Sequence, residues 1–465
     1  MLERIRRRWV PLIGSVVFVL IGMLTTAWGP THILGRPEWA LPYDLWGTLI
    51  ATVRLAHGNI GGVYAPGTGL ISLPGAAVIL LPCAAVINAL GLSLQIPGPQ
   101  NLHPAVWLLA GPYEMALSCV TLFAVDALAE RLGVGRWKRA LLTAISLGIL
   151  WSPAARWGHP EDTVAIGLLL YAVLAQSNDR VVLAGWLTGC AVCVQPLVLL
   201  ALPVQLALLP WRRMVPFLVR AAVPSAVLVA AAAIANWHDT YTSVTSQPDS
   251  PVINHPTIWT SLAPQLANQN VAAGPFRLAT IAAACLCALV IRQRWQARLA
   301  EPQNDEMLTE RQNYEIPEIP EIPEIPEISD TADTADRPGS PDRPGPPGWP
   351  TALLADVLWR VAFTLALRSF FEPVMVSYYP WPPMAVALIP AATLSWRRLI
   401  AVGLVAGGLT AAAQGPSHAI WIWWVPIVAG LAVLLALARP WRSVRPDWRG
   451  DRLQGRALGG TTVAG

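Results

Sequence analysis

Residues 35–66 read GRPEWALPYDLWGTLIATVRLAHGNIGGVYAP and follow directly on an apolar run over 9–28. The segment carries its ionisable groups sparsely, and its acidic turn Pro42-Tyr43-Asp44 opens a stretch in which apolar residues recur at helical spacing from Leu45 to Ala56. Arg54 and His57 lie on the polar side, and Gly58 and Gly61-Gly62 close the pattern. This predicts an amphipathic helix lying at a membrane surface and holding Asp44 at a fixed depth. Proton abstraction needs a carboxylate of that kind, within reach of a substrate hydroxyl. Asp44 as a cap on the helix starting at Leu45 is the alternative, and the two roles are compatible.

Working outward, composition sets the class. The chain has 465 residues, 54% hydrophobic and 13% charged, with 22 tryptophans and a mean hydropathy of +0.48. So little charge, with apolar runs recurring from end to end, predicts an all-α polytopic membrane protein of about twelve transmembrane helices. Arg4, Arg6, Arg7 and Arg8 precede the first run, which ends without a small-x-small cleavage pattern and reads as a retained helix. Basic residues at 212–213, 292–298, 397–398 and 439–456 place both termini in the cytoplasm of a multi-pass cell-membrane protein, with 35–66, 236–275 and 368–383 outside. The formal net charge of +4 then reflects sidedness, and no nucleic-acid partner is expected. The run over 70–92, broken by Pro74 and Pro82, is either a crossing or re-entrant, and the side of the His159 turn depends on which.

Four regions follow. Residues 1–291 form an N-terminal module containing the catalytic first external loop, and 351–438 form a C-terminal module. Between them, 292–350 carries an exact Glu-Ile-Pro repeat over 315–326. Each proline there removes a donor and restricts its predecessor, which predicts a disordered cytoplasmic linker. It is a spacer or a docking segment for a cytoplasmic partner. Residues 439–465 are a basic cytoplasmic tail. All six cysteines sit inside apolar runs and read as small packing residues.

Beyond Asp44, ionisable groups concentrate in two turns. The first, Arg156-Trp157-Gly158-His159-Pro160-Glu161-Asp162, reads as a substrate-binding cluster or as a helix start with Pro160 at N1 and two acids in the first turn. The second, from Arg368 through Glu372 to Tyr378 and Tyr379, combines a cation, a carboxylate and aromatics suited to a phosphate and a sugar, or to interfacial anchoring. His255 in the 236–275 loop is a further substrate-binding candidate. A metal would need a third ligand such as His255 or Glu372, and neither metal nor cofactor is expected.

The sequence from Asp44 through Tyr64-Ala65-Pro66 resembles the segment after the first helix in actinobacterial polyprenyl-phosphate-mannose-dependent mannosyltransferases of the GT-C class. In them an Asp precedes an aromatic-containing amphipathic helix with a Gly-x-x-x-Tyr-x-Pro ending. The chain departs from that pattern in His159-Pro160-Glu161-Asp162 and in the long linker. The resemblance implies a GT-C-like fold in which Asp44 is the base that transfers a sugar, mannose or arabinose, on the extracytoplasmic face. The partners would be a polyprenyl-phosphate sugar donor, a lipid or glycan acceptor, and membrane lipids. A membrane transporter or lipid flippase is the other expectation.

Overall fold

The computed structural model describes residues 8–28, 42–68, 70, 72–94, 105–245, 257–260, 275–300, 349–372, 375–415, 417 and 419–440. The expectations for His255, for the 315–326 repeat and for the basic tail beyond residue 440 lie outside the described residues.

The described chain is helical. In order it forms α1 Trp9–Trp28, α2 Tyr43–Ala56, α3 Gly75–Ala89, α4 Trp107–Ser118, α5 Val120–Arg131 and α6 Arg136–Leu150. Next come α7 Pro160–Ser177, α8 Val181–Val194, the short α9 Leu202–Ala207, α10 Trp211–Ala235, α11 Trp237–Thr245 and α12 Pro275–Ala300. The last four are α13 Thr351–Phe371, α14 Trp381–Thr393, α15 Trp396–Ala413 and α16 Trp424–Ala438. A π-helical turn, Ser152–Arg156, leads into α7, and a 3₁₀ turn, Pro196–Ala201, separates α8 from α9.

The expectation of about twelve crossings is corrected here. Among the described residues, two helical stretches are long and apolar enough to cross a membrane by length and composition, Trp107–Arg131 and Trp211–Ala235. More than half of the first is buried within the protein, as in a core helix. The apolar runs that suggested the larger number are cut short or interrupted. Helix α3 has 15 residues, α8 has 14, α14 has 13 and α16 has 15. At 1.5 Å per residue each falls short of a hydrocarbon layer of about 30 Å. Longer α13 carries Asp356, Arg360 and Arg368, and α15 begins with Arg397 and Arg398. A GT-C-like architecture, and the multi-pass localisation with both termini cytoplasmic that was read from the charged loops, lose the crossings on which they depended.

The amphipathic helix is corrected too. Instead of lying on a surface, α2 packs along α3, with Leu45 and Leu49 buried in the main core and Ala51 in a smaller cluster with Val63, Ala76 and Ala77. The two ends of the chain share the main core, which takes Phe18 from α1, Leu169 from α7, Leu358 from α13 and Leu431 from α16. Helix α14 lies at its centre, buried on every side from Trp381 to Ala392, and packs against α5, α6, α7, α13, α15 and α16. None of the six cysteines is bridged; Cys83, Cys119 and Cys193 are buried, and Cys190 and Cys285 are exposed. At the start of α3, Gly75 lets α8 come close, since a Cβ there would lie 2.4 Å from the Cys193 carbonyl oxygen.

Candidate functional site

The π turn builds the site. Its wide backbone bonds, Arg156 N–H to Trp151 O and Trp157 N–H to Ser152 O, carry the chain to Gly158 at φ +67°. The His159 N–H then reaches back to the Pro153 carbonyl at 2.8 Å. Left-handed backbone suits glycine, and here the missing side chain also makes room. A Cβ on Gly158 would lie 2.8 Å from the Pro42 Cβ and 2.9 Å from the Leu45 Cβ, so the turn rests directly on the first turn of α2. Far along the chain, Gln414 braces the same turn, accepting from Trp157 Nε1 at 3.1 Å and donating to Ser152 Oγ at 2.7 Å.

That contact brings Asp44 to His159. Helix α2 has Pro42 at its N-cap with no side-chain capping bond, so Asp44 is not the cap the sequence allowed; it lies inside the first turn. Its Oδ2 is 2.9 Å from His159 Nε2, and His159 Nδ1 is 2.7 Å from Glu161 Oε1. The imidazole is buried and the Asp44 carboxylate 40% exposed, so the chain of groups runs from an accessible acid inward. Burial works against charge on His159. The Glu161 charge, the hydrogen bonds to Asp44 and Glu161, and the Asp162 charge outweigh it and hold the imidazole well above its usual range. A charged imidazolium donates from both nitrogens, which suits a carboxylate on each side.

Helix α7 does begin at Pro160, with Glu161 and Asp162 in its first turn, where the helix dipole favours negative charge. Asp162 is buried and accepts from Gln195 Nε2 at 2.6 Å. Burial pushes its carboxyl up, while His159 pulls it back.

The segment after α13 closes the other side. The Tyr378 ring stacks on His159, with centroids 4.0 Å apart and planes tilted by 35°, and Tyr379 meets Tyr378 edge-on. Burial pushes the Tyr378 hydroxyl well up, and the charges around it, Asp44 and Asp162 among them, add to the shift. Arg368 lies 3.6 Å over the Tyr379 ring, 3.9 Å from Glu372, and within electrostatic reach of Asp162. Burial draws its guanidinium down, but those neighbours raise it on balance. With two carboxylates and a ring already around it, Arg368 is fitted to hold the site together. Burial draws Arg156 down as well; it stands on the π turn beside Trp157, whose ring is 6.1 Å from Tyr378.

Of the residues singled out in the sequence, Asp44, His159, Glu161, Asp162, Arg368, Glu372, Tyr378 and Tyr379 form one connected cluster, and Arg156 sits on the turn that shapes it. Gln195 and Gln414 went unnoticed, because an amide at a helix end or loop carries no pattern of its own. Among the described residues no group of three His, Cys, Asp or Glu side chains could hold a metal ion.

A comparison with protein-family models finds no match, and neither does one with curated proteins. The resemblance to the GT-C mannosyltransferases therefore gains no support, and the described helices do not form the many-span body that it implied. The expected sugar transfer falls with it, as do the polyprenyl-phosphate donor, the lipid or glycan acceptor and the membrane-lipid contacts. The transporter or flippase alternative needed the same crossings and fails for the same reason.

Proposed function

We propose that the chain is an acid–base enzyme in which Asp44 takes a proton from a hydroxyl of a polar substrate entering at its exposed edge. His159 fixes the carboxylate and spreads the charge that changes when the proton arrives, and Glu161 fixes His159. Tyr378 covers the imidazole and keeps water from its face. Arg156, on the turn beside them, receives an anionic group of the substrate. Arg368, Glu372, Asp162 and Tyr379 hold Tyr378 and α7 in register.

What supports the reading is the pair of short contacts from a buried imidazole, 2.9 Å to Asp44 and 2.7 Å to Glu161, in which only the outer carboxylate is substantially exposed. A histidine that served packing alone would not need a carboxylate on each nitrogen, one of them open to solvent. Orientation of an acid–base group by a second and a third group is the arrangement that such chemistry uses.

The test uses glycidol, a small hydroxyl-bearing epoxide that a carboxylate opens to an ester while the ring oxygen takes a proton from water. The full chain is expected to carry one ester, on Asp44, by peptide mapping, and Asp44→Asn to carry none there. Labelling spread evenly over exposed acids, with Asp44 unreacted, would overturn the proposal.

A further inference from the structure

One end of the bundle gathers the turn between α5 and α6, the turn between α7 and α8, and the starts of α10, α13 and α15. Arg131 donates to Asn178 Oδ1 at 3.4 Å and to the Trp349 carbonyl at 3.0 Å, and the Trp349 N–H donates to the Ser177 carbonyl at 2.9 Å. Arg213 pairs with Asp179 at 2.5 Å, while Lys138 donates to the Leu394 carbonyl and stands 5.9 Å from the Trp396 ring. The end is basic where helix starts favour acid. The first turns of α6, α10 and α15 hold no acid and open on Arg136, Trp211-Arg212 and Trp396-Arg397, and Arg180 is the N-cap of α8. Arg136, Arg180, Arg212 and Arg397 are exposed, and among the described residues none has an acid within ion-pair distance. The nearby acids are taken, Asp179 by Arg213 and Glu130 by Arg8 and Arg139. Beside these arginines stand the exposed rings of Trp137 at 68%, Trp211 at 69% and Trp396 at 46%. Cations without an acid and bare indoles on one surface call for an anionic partner with an apolar edge.

We propose that this end of the bundle binds residues 315–336 of the same chain. The occupant lies between Ala300 and Trp349, outside the described residues, and its sequence complements the surface. An acid falls at every third position from Glu315 through Glu327 to Asp336, with no Lys or Arg among them, and isoleucine and proline fill the places between the first five. A polyproline helix turns once in three residues, so a chain bound in that form lays all its carboxylates along one edge, spaced about 9 Å apart. Those carboxylates face the arginines, and the Ile-Pro pairs lie against the tryptophan rings, as proline-rich ligands do in aromatic grooves. The tether favours this segment over any separate partner. Asp336 precedes Trp349 by 13 residues, and Trp349 is itself bonded to the end of α7, so the acids can extend up to about 40 Å from it. That keeps them near the arginines at an effective concentration of about millimolar.

Carbodiimide coupling of the full chain, which joins an amine to a carboxylate in contact with it, tests this. The chain has a single lysine, Lys138, so Arg212→Lys adds one amine at the basic end without changing the charge. His238→Lys adds one at an exposed position of α11, beyond the far end of α10. Helix α10 has 25 residues and is roughly 37 Å long, so a tether that docked nowhere would visit both. In low salt Arg212→Lys is expected to link to residues 315–336 about tenfold more often than His238→Lys does, by peptide mapping of the monomer. The excess should vanish at 1 M salt, where charges are screened beyond about 3 Å. Equal linking of the two variants in low salt overturns the inference, because the tether alone would give it. So does an absence of links from Arg212→Lys, or an excess that forms only between two chains.

Discussion

Gly158 and Leu45 touch where a side chain would not fit: a Cβ on the glycine would come within 2.9 Å of the Leu45 Cβ. Because Asp44 precedes Leu45 and His159 follows Gly158, this one contact sets the distance between the two polar groups.

Gly158→Ala is therefore expected to act twice. A left-handed backbone costs an L-residue roughly 1–2 kcal/mol, and the added methyl must also push the turn off α2. Chemical denaturation should show at least that loss. The surviving folded protein should also have a lower His159 midpoint, because Asp44 has been moved away.

The protonation of His159 makes stability depend on pH. Its folded-state value is raised above the ordinary 6.5, so the folded chain holds the proton more tightly than the unfolded chain. The contribution is fully present below the unfolded value and is lost as pH rises through the folded value. Denaturation midpoints of wild type and His159→Gln, measured across that window, should differ most at its acid end and converge at its alkaline end.

Removing either carboxylate should lower the midpoint of His159. Histidine-labelled protein followed by magnetic resonance is expected to show a downward shift in Asp44→Asn and a further-reaching one in Glu161→Gln, whose charge is the larger cause of the raised value, since each loses a charge-assisted bond. An unchanged midpoint in both would mean that the side chains are not in contact in solution.

At the other end of the bundle, Asp126 has a fully buried side chain that pairs with Arg8 at 2.5 Å and with Arg139 at 2.6 Å, while Glu130 takes the second nitrogen of Arg8. Asp126→Asn leaves Glu130 as the remaining acid for the two guanidinium groups and removes charge-assisted bonds, so it should cost about 1.5–3 kcal/mol in denaturation experiments. Arg8→Met removes only the more exposed partner and should cost less.

Much of the site could be read from the sequence, because ionisable groups in so apolar a chain are conspicuous. Asp44, the 156–162 turn and the 368–379 turn stood out for that reason, and Pro160 marked the start of α7. What could not be read was their convergence, since the Gly158 contact and the Gln414 brace join residues far apart in the chain. The overall architecture was misread because hydropathy counts residues and not unbroken helix. Helix α3 stops after 15 residues and Pro196 follows the end of α8, while α7 is buried nearly all round within the protein itself.

The burial of α14 on every side also sets an order of events during synthesis. Helices α5, α6 and α7 are made long before Trp381–Thr393, and the apolar side chains that they pack against that helix have no partner on it until it emerges. Tyr378 is made just ahead of it, so the ring that stacks on His159 comes late in the chain as well. A chain cut before residue 381 would lack the helix at the centre of the core and should bind chaperones that recognise exposed apolar surface.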